Sequence, residues 1–201
     1  MSADIPTTFT LNLLSWSPWL ERATDTDLDP DRRAQVEAAV GTAPNSDYSN
    51  VLANDLEALQ TRALVHRHVY ASDAPEDTAR RELGATTASR INGCVFCASV
   101  HARMWAHASG NRALAETFLR DGIDADLPPV ERAVVDAAAR LTTDPESLTA
   151  EHLAPLRDLG LDDFAILDAL NYAAFFANAN RLMLTLGEPR FARAPRREAA
   201  G

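Results

Sequence analysis

From Asp73 to Pro189 the chain is divided at short intervals by helix start and stop signals, and between them apolar residues recur with helical rather than alternating spacing. Asp73-Ala74-Pro75-Glu76 reads as a capped start, with Asp at the N-cap, Pro just inside and Glu three residues on, so a helix is predicted to run to about Asn92. Asn92-Gly93 marks a turn, and the next helix continues past Met104 and Trp105 to about Ala108, where Ser109-Gly110 ends it. A shorter helix from Arg112 to about Arg120 ends at Asp121-Gly122. Pro128-Pro129 opens another, through about Leu141, with Val134, Val135, Ala138 and Leu141 on its apolar face. Thr149 caps a helix carrying a surface His152, and Gly160 closes it. Asp162 caps the last helix, whose apolar stretch from Phe164 to Leu186 stops at Gly187-Glu188-Pro189. No hairpin signal or convincing strand alternation accompanies these segments. The expected fold class is therefore all-α, a multi-helix bundle.

Three regions are expected: residues 1–30 as an N-terminal arm, 31–190 as the helical domain and 191–201 as a flexible tail. In the arm, Leu11, Leu13, Leu14, Trp16, Trp19 and Leu20 are interrupted by Pro18, which favours a segment that lays its aromatics on a neighbouring subunit or on its own chain. Asp29-Pro30 and Arg32 to Val40 give a short helix, and Ala43 to Asp47 a hinge-like loop. A helix from about Asn50 to Val69 carries His66 and His68, read as solvated or satisfied core groups. The last helix, apolar on most sides, is expected at the centre or at a subunit interface. Its Asn171, Asn178, Asn180 and Arg181 need partners if buried, in a structural role rather than as pocket lining.

Composition narrows the function classes. With 46% hydrophobic residues, 201 residues suffice for one core or two closely packed halves. The net charge of −10, with arginines scattered among carboxylates, argues against a nucleic-acid partner. All 19 basic residues are arginine, which rules out a Schiff-base lysine. Residues 1–10 lack a basic stretch followed by an apolar run, and no segment reaches the roughly 18 apolar residues a membrane span needs, so no membrane association and a cytoplasmic location are expected.

The chemistry concentrates at the two cysteines, Cys94 and Cys97, three residues apart, with His101 four residues beyond the second and Glu82 twelve before the first. A CxxC pair at a helix start brings both sulfurs within disulfide reach, and the free amides of the helix N-terminus favour thiolate. His101 falls one turn after Cys97 on the same face, so thiol and base become neighbours. Glu82, in the preceding helix and bordering the stripe of Leu83, Thr87 and Ile91, can orient His101 or pass it a proton. This combination reads as a redox dithiol. Two other readings use the same residues: a static disulfide, disfavoured in a cytosolic protein, and a zinc site of Cys94, Cys97, His101 and Glu82, disfavoured because no second ligand pair exists.

The order and spacing of Glu82, Cys94, Cys97 and His101, within Arg81-Glu82-Leu83 and Ser89 to Ala102, resemble the alkylhydroperoxidase-like branch of the carboxymuconolactone decarboxylase superfamily. The resemblance extends to Phe9–Leu20 and to Ala174–Leu182, and so covers most of the chain. It implies an all-α bundle of the alkylhydroperoxidase-like type, a homo-oligomer, and reduction of a hydroperoxide through the cysteine pair, with no metal or flavin cofactor and with a thiol or dithiol reductant. It also implies that Cys97 attacks and Cys94 resolves; spacing alone permits the reverse. The chain departs from the best-studied members at Phe96, where they place a second histidine, so proton delivery here falls to Glu82, His101 and water. A redox-sensing or binding module without turnover, and a protein dithiol–disulfide oxidoreductase, are the alternative readings of the same dithiol.

Overall fold

The computed structural model describes residues 5–40, 46–69 and 75–192. In chain order these form strand β1 (Leu14–Pro18), helices α1 (Pro30–Val40), α2 (Ser46–Leu52), α3 (Leu56–Val69), α4 (Pro75–Ile91), α5 (Val95–Ser109), α6 (Arg112–Asp121), α7 (Pro129–Thr143), α8 (Ala150–Asp158) and α9 (Asp163–Leu186), and strand β2 (Gly187–Phe191). The fold is all-α apart from that strand pair. Among the described residues no helix is long and apolar enough to cross a membrane.

The local signals set the boundaries. Gly110 takes a left-handed conformation (φ 66°) after α5, and the Asn111 and Asp162 side chains accept from Leu114 and Ala165 amides to cap α6 and α9. His152 lies in the first turn of α8, where its Nδ1 accepts from the Thr149 amide. The expected N-cap Asp73 and most of the expected hinge, Ala43 to Asn45, lie outside the described residues.

At the centre α4 packs on α5, α7 and α9. Small residues permit this: a Cβ on Gly84 would stand 3.0 Å from the Ala169 carbonyl oxygen and 3.5 Å from the Ala173 Cβ of α9. Ala85 and Ala88 are likewise buried. The largest core cluster is built around Leu83, Trp105, Phe118, Val134, Val135 and Ile166. Arg81, buried on α4, pairs with Asp168 of α9 at 2.9 Å.

Two expectations are corrected. The segment expected as one helix from Asn50 to Val69 breaks into α2, a 3-10 turn (Ala53–Asp55) and α3. Asn54 there donates to the Val51 and Glu21 carbonyls, and the Asp55 carboxylate accepts from the Ala58 amide, so polar side chains offer the backbone an alternative to continuing the helix. Secondly, the two ends of the chain pair as antiparallel strands, Leu14 opposite Phe191 and Pro18 opposite Gly187. Trp16 turns inward: its ring occupies the space a Gly187 side chain would need, its Nε1 donates to the Met183 carbonyl at 3.1 Å, and it meets Tyr48 edge-on at 5.8 Å. The arm thus packs on its own chain through Trp16, while Leu13, Trp19 and Leu20 stay exposed. Of the expected tail, Phe191 belongs to β2 and residues 193–201 lie outside the described part.

Candidate active site

The turn between α4 and α5 presents the cysteines. Gly93 supplies the left-handed residue (φ 77°), and the Cys94 amide donates back to the Ser89 carbonyl at 2.9 Å. Asn180 of α9, fully buried, holds the turn from the other side: its Oδ1 accepts from Asn92 Nδ2 (3.1 Å) and its Nδ2 donates to Ser89 Oγ (3.0 Å). The structural role expected for Asn180 is therefore met by two hydrogen bonds. Asn178 pairs with Arg62 of α3, and Arg181 donates to the Ala177 carbonyl.

Cys94 is the N-cap of α5, and its Sγ accepts from the Cys97 amide at 3.4 Å. The two cysteines are joined as a disulfide with their Cα atoms 5.4 Å apart. Both are buried, in an apolar cluster with Trp16, Tyr48, Phe96 and Met183, and the Met183 thioether lies 3.5 Å from Cys97 Sγ.

His101 follows Cys97 by one turn of α5, and its Nδ1 lies 2.7 Å from Glu82 Oε2. The other Glu82 oxygen accepts from the Tyr172 hydroxyl, also at 2.7 Å. Glu82, Tyr172 and His101 are 1%, 0% and 4% exposed, so this chain of hydrogen bonds runs entirely inside the protein. Phe176 covers the imidazole, ring centroids 4.0 Å apart, and His66 of α3 packs against Phe175 and Phe176 on the far side. Partial desolvation, with repulsion from Arg62 and His101, lowers the still solvent-exposed His66 below the ordinary histidine range against the pull of Glu82. The structure thus unites Glu82 with His101 and Cys94 with Cys97, and brings His66 near them. The side chain of His68 lies outside the described part.

Tyr172, Phe176 and Met183 were not singled out by sequence reasoning. With Asn180 they recur at helical spacing along one face of α9, and polar-tipped residues on an otherwise apolar stripe were the available signal. Among the described residues no group of three or more His, Cys, Asp and Glu side chains is placed to hold a metal ion.

The arrangement can move a proton between a buried carboxyl group and an imidazole one helical turn from Cys97. Chains of known structure share the architecture. A protein from Ralstonia eutropha JMP134, described as an alkylhydroperoxidase AhpD core and an uncharacterized peroxidase-related protein, superposes with a TM-score of 0.67 at 22% identity, over 85% of this chain and 88% of that one. An uncharacterized peroxidase-related protein from Silicibacter sp. TM1040 superposes with a TM-score of 0.68 at 23% identity, over 87% of this chain and 94% of that one. The fold is therefore alkylhydroperoxidase-like. No protein-family model and no curated protein sequence matches the chain.

Proposed function

We propose that the protein is a thiol-dependent peroxidase that reduces organic hydroperoxides through Cys94 and Cys97. The observation that carries this is the buried Tyr172–Glu82–His101 chain ending one helical turn from Cys97. The peroxidase-related descriptions of the structural neighbours support it.

In the proposed cycle the Cys97 thiolate attacks the terminal oxygen of ROOH. The S–O bond forms as the O–O bond breaks, and the alkoxide takes a proton relayed by His101 and Glu82, leaving as ROH. Cys97 becomes a sulfenic acid. The Cys94 thiolate then displaces hydroxide, which leaves as water after protonation, and the disulfide forms. An external dithiol reduces it by exchange, returning two thiols and leaving as its own disulfide. The resemblance in the sequence adds that the protein works as a homo-oligomer, and the exposed Leu13, Trp19 and Leu20 offer apolar surface for such contacts.

A redox switch without turnover is the second reading, favoured by the burial of both sulfurs and by Phe96 where a second histidine would stand. Steady-state consumption of cumene hydroperoxide with excess dithiothreitol separates the two. The peroxidase reading expects many turnovers per chain, abolished by Cys97→Ser and by Cys94→Ser. One oxidation per chain followed by arrest would instead establish the switch.

A further inference from the structure

We propose that the apolar cavity beside the dithiol is a binding site for an amphipathic acid, with Arg103 holding its carboxylate, and that the substrate is a hydroperoxide of a long-chain fatty acid. As a ligand site the cavity stands on its own geometry. Its role for substrate rests on the peroxidase reading.

The cavity measures about 880 Å³, within the range of small-molecule sites. One wall is a continuous face of α5, where Phe96, Val100 and Met104 repeat at four-residue intervals, and Trp16, Tyr48 and Met183 face them. Trp16, Tyr48, Phe96 and Met183 belong to the same apolar cluster as both cysteines, so this end of the cavity adjoins the sulfurs. Met183 stands between, and its unbranched thioether can swing aside without breaking the backbone hydrogen bond its carbonyl accepts from Trp16.

Two observations select an acid over a neutral oil, and a third offers a polar contact at the end beside the sulfurs. Among the described residues Arg103, half-buried at the cavity wall, has no carboxylate partner, and the one acidic wall residue, Asp47, is taken by Arg22 at 2.9 Å. His107, one turn beyond Arg103, is also in the wall. Tyr48 has its hydroxyl buried with no hydrogen-bond partner among the described residues, a donor for which a ligand oxygen would compensate. Arg103 lies six residues beyond Cys97, about 9 Å along the helix axis. A ligand held there by its carboxylate therefore needs an acyl chain to bring a mid-chain hydroperoxyl group to the Tyr48 end and the sulfurs.

Calorimetric titration with oleate and with oleyl alcohol, below micellar concentrations, tests the site without any turnover. Saturable oleate binding is expected, at least about tenfold tighter than the alcohol, with Arg103→Gln bringing the ratio near one and Arg103→Lys keeping part of it. Tyr48→Phe is expected to keep or raise the melting temperature of the ligand-free protein and to leave oleate binding near the parent value, while raising KM for linoleic acid hydroperoxide. A second arm compares kcat/KM for linoleic acid hydroperoxide and its methyl ester in the parent and in Arg103→Gln. Oleate binding that depends on Arg103 in a protein that reduces no hydroperoxide upholds the site and removes the peroxidase reading. Reduction of acid and ester alike, with no saturable oleate binding, overturns the site and leaves the peroxidase reading standing. Should Arg103→Gln fail to fold, the oleate–alcohol ratio in the parent and in Arg103→Lys still decides.

Discussion

Replacing Tyr172 by Phe removes one oxygen from the buried chain and leaves the packing of the ring on His101 and Phe176 in place. The Tyr172 hydroxyl donates to Glu82 Oε1 at 2.7 Å, and neither residue is more than 1% exposed, so water cannot readily replace the lost donor. Its loss leaves a buried carboxyl oxygen unsatisfied, at a cost of about 1–3 kcal/mol. In a chain of this size that lowers Tm by about 2–12 °C. The effect should also be specific to Glu82. In a double-mutant cycle with Glu82→Gln, measured by urea denaturation, the coupling energy is expected to be about 1 kcal/mol or more. If Glu82 also sets the position of His101, oxidation of Cys97 by peroxide slows by about tenfold for each 1.4 kcal/mol lost from the transition state. A coupling below about 0.5 kcal/mol, with an unchanged oxidation rate, would refute the view that Tyr172 holds Glu82 for His101.

Asn180→Ala leaves Asn92 and Ser89 without their shared partner beneath the cysteine turn, and a loss of about 2 kcal/mol is expected, seen as a Tm lower by about 4–8 °C. Gly84→Val forces α4 away from the Ala169 carbonyl and is expected to cost about 1–3 kcal/mol, whereas a stabilised variant would show that the contact between α4 and α9 is loose. Because desolvation against Phe175 and Phe176 lowers His66 below the ordinary histidine range even though its side chain still meets solvent, the unfolded chain takes up a proton there before the folded one does. Stability is therefore expected to fall as pH drops below about 6.5, and His66→Gln should flatten that part of a Tm–pH profile. An identical profile in the variant would remove His66 from the cause.

The helices were legible where a residue's own chemistry marks an end. Gly110 and Asp162 act at the termini of α5 and α9 as their residue types require, and the order of Glu82, Cys94, Cys97 and His101 identified a carboxyl–imidazole pair and a cysteine pair that the fold brings together. What escaped depends on distant partners. β1 alternates only over Leu14-Ser15-Trp16-Ser17 before Pro18, too short a run to stand out, and β2, with Pro189, shows no alternation; their pairing exists because Trp16 can lay its ring over Gly187. The break at Ala53–Asp55 rests on local bonds of Asn54 and Asp55 and also on Asn54 reaching the Glu21 carbonyl, a contact with no local signature. Tyr172 read as one more apolar residue of α9, because nothing in its neighbourhood along the chain says that α4 will place a carboxyl group beside its hydroxyl.

The dithiol is the centre of the account, and counting its thiols tests it most directly. The protein would be reduced, freed of reductant and given one equivalent of linoleic acid hydroperoxide or cumene hydroperoxide, with free thiols and intact mass measured in the parent, Cys94→Ser and Cys97→Ser. The account predicts that the parent loses both thiols and about 2 Da as the disulfide forms, that Cys94→Ser accumulates a sulfenic acid trapped by dimedone, and that Cys97→Ser does not react. Two thiols that survive the peroxide in the parent would contradict it.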